Sequence, residues 1–287
     1  MTPTPTDSPR EFLKRFPLLV SLKKRLFKDA TTLDVLKTFP IFIPYSVGSY
    51  RGNACLTIHT INQTIPFLSS LASAMGKRKA EVLNIRDFPA SDEERQAADE
   101  FKKCCDRHGS DKANFHDYHY LYGPLLKRRE EITGVFEVGL GTNNVDVASN
   151  MGAGGRPGAS LRAFREFLKN AKIYGADIDR RILFQEERIE TFYVDQTDPT
   201  TFSNLDGRIP GDLDLVIDDG LHSPDANIAT LAFGLAKIRA GGWVAVEDIG
   251  PGATPVWEVV SALLPDNFRP YLFKAEGAMV FAVQRLR

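Results

Sequence analysis

Several things are scarce in this sequence. Cysteine occurs only as Cys55, Cys104 and Cys105 in 287 residues. None of these forms a C-x-x-C pair, and neighbouring Cys104 and Cys105 bridge only under strain. A disulfide framework or a zinc knuckle is therefore not expected, and a reducing, cytoplasmic setting is. Charge of one sign is not in excess: 36 Lys and Arg face 37 Asp and Glu. Composition thus gives no reason to expect nucleic acid as a partner, since nucleic-acid-binding domains are usually basic. No apolar run is long enough to span a bilayer, and the most apolar early run, residues 39–45, is broken by Pro40 and Pro44. The first residues are polar, not a basic start followed by an apolar core, so no secretory signal is expected. What is present, 43% hydrophobic and 25% charged residues, suits a globular chain long enough to bury a substantial core.

Composition shifts divide the chain. Residues 1–10 are rich in Pro and Thr and read as a disordered tail. Residues 11–29 mix six basic side chains with Phe and Leu. They admit two readings: a basic amphipathic segment lying on an anionic membrane surface, or a surface helix with a solvated charged face interrupted near Pro17. Residues 11–105 read as an auxiliary, mostly helical segment. It contains a helix from Leu56 to Met75 with a break at Pro66. A second helix spans 91–107, capped by Ser91 with Glu94 at the capping-box spacing. Residues 106–287 read as the main domain. There GVFEVGL (134–140), KIYGADI (172–178), ETFYVDQ (190–196), DLDLVIDDG (212–220) and WVAVEDI (243–249) are expected strands. Helices are expected at 160–170 and at 224–240, the latter stopped by Gly241 and Gly242. Alternating strands and helices imply an α/β fold, a parallel sheet covered on both faces. The last two runs, 269–275 and 278–286, are expected to close it as an antiparallel hairpin.

In such a sheet, ligands sit at the carboxyl ends of the strands. Polar residues collect there: Glu137, Gly139 and Gly141; Asp177 and Asp179, with Ile178 between them; Asp195 and Gln196; Asp218, Asp219 and His222; Glu247 and Asp248. Glycines at 139 and 141 let the backbone approach a ligand, although G-x-G-x-x-N lacks the third glycine of the dinucleotide fingerprint. Asp177 stands where a carboxylate grips ribose hydroxyls, and Asp195 where one accepts from an adenine amino group. The set suits an adenosine-containing cofactor.

VFEVGLG, GADI, DLVIDDG and the terminal hairpin together resemble the class I S-adenosylmethionine-dependent methyltransferases. The resemblance implies a Rossmann-like, mostly parallel sheet. It also implies S-adenosylmethionine held by Glu137 toward the methionine end, Gly139 and Gly141 along it, Asp177 and Ile178 at the ribose, and Asp195, Gln196 and Asp218 nearby. The segment 142–159 is longer than a typical first loop and reads either as a lid or as a surface loop.

Asp219 and the pair Glu247–Asp248 lie on neighbouring strand ends, where carboxylates repel unless a cation joins them. Oxygen ligands favour Mg²⁺, Ca²⁺ or Mn²⁺ over zinc. An alcohol hydroxyl is a poor nucleophile, and a divalent ion together with a nearby base activates it. His222, three residues beyond Asp219, reads alone as a helix-start residue bonded to backbone; beside Asp219 and Glu247–Asp248 it becomes a candidate base, since histidine titrates near neutrality. With H-G-S-D-K and H-D-Y-x-Y-L-Y (108–122), this constellation resembles the metal-dependent sugar O-methyltransferases of macrolide biosynthesis and their glycan-cluster relatives. The resemblance implies Mg²⁺ (or Mn²⁺) on Asp219, Glu247 and Asp248, His222 as general base, a sugar, glycan or glycosylated acceptor, and a homo-oligomer. It places Gly109–Lys112 and His116 near the cofactor. Within this class a phenolic acceptor such as a catechol needs less activation. Two other readings stand beside it: a nicotinamide-dependent oxidoreductase and a non-catalytic module on the same fold.

Overall fold

The structure is a computed structural model and describes residues 50–287. The Pro/Thr-rich tail, the basic segment 11–29 and the run 39–45 lie outside the described residues. Two units divide the chain between Leu68 and Ser69; the sheet and the candidate site belong to the second. Helix α1 (Tyr50–Ala74) runs through Pro66, so the break expected there does not occur. A proline forfeits one helical hydrogen bond and crowds one carbonyl, and the turns on either side carry this helix past it. Among the described residues no helix is long and apolar enough to cross a membrane.

Strands β1 (Glu81–Asn84), β2 (Gly134–Val138), β3 (Lys172–Asp177), β4 (Gln185–Glu186), β5 (Ile189–Tyr193), β6 (Leu213–Asp218), β7 (Ile238–Ile249), β8 (Phe268–Lys274) and β9 (Met279–Arg285) form one sheet. Their order is β1-β8-β9-β7-β6-β2-β3-β5-β4. The five central strands, β7-β6-β2-β3-β5, are parallel. β9 runs antiparallel between β7 and β8 and closes the expected hairpin. The Rossmann-like α/β sheet read from the sequence is therefore present. Two edge strands were not foreseen. β4 is only two residues long, and β1, from before residue 105, adds itself parallel to β8.

Side-chain parity divides the sheet into two cores. In β2 and β6, Val135, Leu215 and Ile217 face one core, while Phe136, Val138 and Val216 face the other. The first core is covered by α2 (Asp92–His108), α3 (His119–Leu125) and α4 (Ala159–Phe167). Ser91 and Glu94 form the expected capping box on α2. Gly123 lets α3 meet α2 at Ala98, where a β-carbon would lie 2.4 Å from the Ala98 Cα. Phe101 of α2 stacks on Phe164 of α4 at 4.9 Å. Phe202 of the short α5 (Thr200–Ser203), Leu231 of α6 (Pro224–Lys237) and Trp257 of α7 (Thr254–Leu263) fill the second core.

The expected end of α6 at Gly241–Gly242 needs correction. The helix stops at Lys237, and β7 begins at the buried Ile238, paired with Leu213. Arg239 binds the buried Asp214 at 2.5 Å, and a β-carbon on Gly242 would meet the Leu213 carbonyl oxygen at 2.9 Å. The glycines thus permit a tight strand contact within β7 and do not terminate the helix.

Cys104 and Cys105 are buried in the first core and Cys55 is exposed. Burial pushes the Cys105 thiol up to about 12 and raises Cys104 as well. Only thiolate reacts with alkylating agents. Native protein titrated with a thiol reagent at pH 8 is therefore expected to modify one cysteine quickly and the other two only on unfolding. Rapid modification of all three would contradict this packing.

Candidate functional site

The carboxyl ends of β2, β3, β5 and β6 border a cavity of about 510 Å³. Its wall includes Gly139, Gly141, Asp177, Ile178, Asp195, Gln196, Asp219, His222 and Asp248, and residues 147–151 of the long loop after β2. Ser149 Oγ donates to the Gly220 carbonyl at 2.9 Å, tying that loop to the turn after β6. Six of the residues expected along a cofactor thus meet at one cavity. Glu137 and Asp218 are fully buried and do not line it. Strand parity explains both. Glu137 faces the α3 side, where it accepts from Ser160 Oγ at 2.6 Å. Asp218 faces the α6 side, where Gln196 Nε2 donates to it at 3.0 and 3.1 Å.

Asp177 accepts from the backbone N–H groups of Leu140 and Asp179, both at 2.8 Å. Burial raises its pKa and these bonds counter the rise. Gln196 is spent internally: its amide also donates to Thr230, and its carbonyl accepts from the Leu221 N–H. Gly139 has φ +95°, and a β-carbon there would lie 1.8 Å from the Asp219 carbonyl oxygen. The ladder continues past both strands, since the Asp219 N–H donates to the Val138 carbonyl at 2.8 Å. The glycine loop and the DDG turn are therefore in backbone contact.

The second constellation separates into two layers. In the outer layer, ligand atoms of Asp219, His222 and Asp248 all lie within 4.8 Å of one another. His222 Nε2 is 3.8 Å from Asp248 Oδ2, and His116 Nδ1 is 3.5 Å from Asp248 Oδ1. Tyr118 donates to Asp248 Oδ1 at 2.5 Å and accepts from its N–H at 3.3 Å. Opposite ligands of Mg²⁺ stand about 4.2 Å apart, so only small closing movements would bring the Asp219 and Asp248 oxygens around one ion. Carboxylates are the suitable donors for Mg²⁺ or Mn²⁺ and imidazole is not, which leaves His222 beside the ion position with a nitrogen free to take a proton.

The inner layer is built on Lys112, which is 1% exposed. Its Nζ lies 2.6 Å from Asp219 Oδ2, 2.6 Å from Glu247 Oε2 and 3.0 Å from Glu137 Oε1. Tyr122 donates to the other oxygen of Glu247. Glu247, expected beside Asp248 on an ion, thus points inward with both oxygens engaged. Burial alone would lower the lysine, but Asp219, Glu137 and Glu247 outweigh it and hold the ammonium charged. Burial pushes Glu137 and Glu247 up, and Lys112 pulls them down. Burial and Glu247 keep both tyrosines protonated, as donors to carboxylate. Lys112, expected near the cofactor as part of Gly109–Lys112, lies instead in this buried layer off the cavity wall; Tyr118 and Tyr122 were assigned no role, and the signal for all three was the H-G-S-D-K and Y-x-Y-L-Y run itself.

His222 (φ 59°) and Asp248 (φ 56°) hold left-handed backbone conformations, as does Asp117 (φ 60°) beside Tyr118. Non-glycine residues held there cost about 1–3 kcal/mol and cluster at functional sites. His222→Gly is expected to raise unfolding stability by about 1 kcal/mol, relieving that strain. Chemical denaturation measures it, and a clear loss of stability would show that the imidazole itself supports the fold. Gly139→Ala is expected to cost at least about 2 kcal/mol through the carbonyl clash. An unchanged denaturation midpoint would contradict the close approach.

No family model matches the chain. Among curated proteins, it is 30% identical over 164 residues to the 8-demethyl-8-alpha-L-rhamnosyl tetracenomycin-C 2'-O-methyltransferase of Streptomyces olivaceus, covering 57% of this chain and 40% of that protein. It is 36% identical over 92 residues to the demethylmacrocin O-methyltransferase of Streptomyces fradiae, covering 32% and 23%. The chain thus spans less than half the length of these relatives. Among solved structures, the MycE methyltransferase from the mycinamycin biosynthetic pathway, in complex with Mg, SAH and mycinamycin VI, superposes with a TM-score of 0.53 at 22% identity. The match covers 66% of this chain and 55% of that one. The chain thus shares the Rossmann-like fold of that methyltransferase and is similar in sequence to the two O-methyltransferases over part of their length.

Proposed function

We propose that this protein methylates a hydroxyl group of a sugar, glycan or glycosylated natural product, using S-adenosylmethionine and a divalent metal ion. The observation that carries the proposal is the meeting of Asp219, His222 and Asp248 within 4.8 Å at the rim of the adenosine-sized cavity. The tetracenomycin and macrocin relatives are named as O-methyltransferases, and MycE carries Mg and SAH, which supports the same chemistry here. The three unpaired thiols suit a reducing, cytoplasmic setting.

In this proposal Asp177 and Ile178 flank the ribose, and Asp195 lies at the adenine end. Gly139 and Gly141 give the sulfonium end room beside the backbone. Asp219 and Asp248 would hold Mg²⁺ or Mn²⁺, while Glu247 supports them from the inner layer. When bound, the ion lowers the pKa of a coordinated hydroxyl. His222 accepts the hydroxyl proton at Nε2 as the acceptor oxygen bonds to the methyl carbon and the sulfur–carbon bond breaks. Asp248, 3.8 Å from Nε2, stabilises the imidazolium so formed. Tyr118 fixes Asp248 from the opposite side.

Calorimetry with S-adenosylhomocysteine and with NADH tests the class: saturable binding of the first alone is expected. Binding of NADH alone would overturn the proposal in favour of an oxidoreductase. With a deoxysugar glycoside as acceptor and Mg²⁺ present, His222→Ala is expected to lower kcat at least about 100-fold. S-adenosylhomocysteine affinity should stay within about threefold, because His222 is at the acceptor side of the site. Full turnover by His222→Ala would remove the base assignment. Asp248→Asn and EDTA treatment are each expected to abolish turnover, with Mg²⁺ restoring only the EDTA-treated enzyme. Activity indifferent to EDTA, with no ion retained, would remove the metal.

A further inference from the structure

Lys112 belongs to no part of the chemistry just described, yet its ammonium is the focus of the inner layer. Carboxylates reach it from three separate strand ends: Glu137 on β2, Asp219 after β6 and Glu247 on β7. These strands are neighbours in the sheet, in the order β7-β6-β2. Parity turns Glu137 and Glu247 to the same face. Three oxygens converging on one buried point from a rigid sheet is the donor arrangement of a hard divalent cation. A second observation points the same way. Glu137 Oε1 has no hydrogen-bond partner of acceptable geometry, although Nζ lies only 3.0 Å away. That oxygen meets the ammonium as an ion pair and has no other partner among the described residues.

The lysine is delivered from outside the sheet. Its loop closes on itself, with the Tyr118 N–H donating to the Lys112 carbonyl at 2.8 Å. The same loop supplies Asp111 to the cavity wall and Tyr118 to Asp248. Asp219 stands between the two layers. Lys112 takes its Oδ2, and the side chain also borders the cavity with His222 and Asp248.

We propose that Lys112 is a built-in cation occupying the place of a second divalent ion, and thereby a positioning residue that aims Asp219 at the outer layer. It satisfies Glu137 and Glu247 permanently, so that an exchangeable ion has only the outer position to enter. The inference shares the proposed metal role of Asp219. Its test, however, counts ions gained on removing the lysine, and that difference does not depend on how many the wild type binds.

The test is Mn²⁺ binding to wild type and to Lys112→Met, read by calorimetry and by the Mn²⁺ paramagnetic resonance signal. Lys112→Met is expected to bind one Mn²⁺ more per chain than wild type. Its unfolding temperature is expected to climb with Mn²⁺ more steeply than that of the wild type. With saturating Mn²⁺, its kcat should fall at least tenfold while KM for S-adenosylmethionine changes less than threefold, because Asp219 is re-aimed and the cofactor cavity is not. The triple variant Lys112→Met/Glu137→Gln/Glu247→Gln, lacking both the cation and the charges that demand one, is expected to fold without Mn²⁺ and to lose the extra ion. An unchanged ion count in Lys112→Met would overturn the proposal. So would failure of that variant to fold at any Mn²⁺ concentration. A wild type that binds no Mn²⁺ would refute the metal in the proposed function, while a step from zero to one in the variant would still uphold the role of Lys112.

Discussion

Everything at the carboxyl edge of this sheet depends on keeping several carboxylates together in a place with little water. Glu137, Asp219 and Glu247 converge within 3.0 Å of one ammonium, and Asp248 lies in the next layer. Isolated buried charges are not tolerated, and breaking a buried ion pair by removing one partner costs about 3–5 kcal/mol. The cluster therefore fixes the loop that carries Lys112, the tyrosines that satisfy the remaining oxygens, and the direction in which Asp219 and Asp248 are presented. Burial raises Glu137 and Glu247 and the ammonium opposes the rise, while Asp219 and Asp248 border the cavity.

Backbone geometry reinforces the electrostatics. Gly139 and Asp219 touch through main-chain atoms, so the glycine loop lining the cavity and the turn bearing Asp219 and His222 are one rigid object. His222 and Asp248 are held in left-handed conformations on either side of it. At Asp248 this turn coincides with the irregularity in pairing between β7 and β9. The side chain escapes the strand's alternation there and joins the outer layer, while Glu247, one residue earlier, obeys it and faces inward.

That difference marks what was legible in the sequence. The strands were readable because five apolar runs are bounded by acids and glycines, and the polar residues at their ends do meet at one edge. The side each residue faces was also available from the period of two: Glu137 shares parity with Val135, and Asp218 with Val216. Asp248 was not readable in that way, since a positive φ on an aspartate leaves no mark in the pattern. The carboxylates hydrogen-bonded to Lys112, Tyr118 and Tyr122 were hidden for a different reason. They lie more than a hundred residues away in sequence, and a lysine in a polar run looks like any solvated lysine until the fold buries it. The IRAGG run misled because paired glycines stop helices far more often than they admit a tight strand crossing.

The edge strand β1 has a consequence for how the chain acquires its shape. Its partner β8 lies nearly two hundred residues downstream. During synthesis β1 leaves the ribosome early and finds no strand to join until β8 and β9 have followed. Pairings across such distances form slowly, and an unpaired strand is exposed to the wrong neighbours while it waits. The pairing of β1 with β8 therefore has to wait until almost the whole described chain has been made.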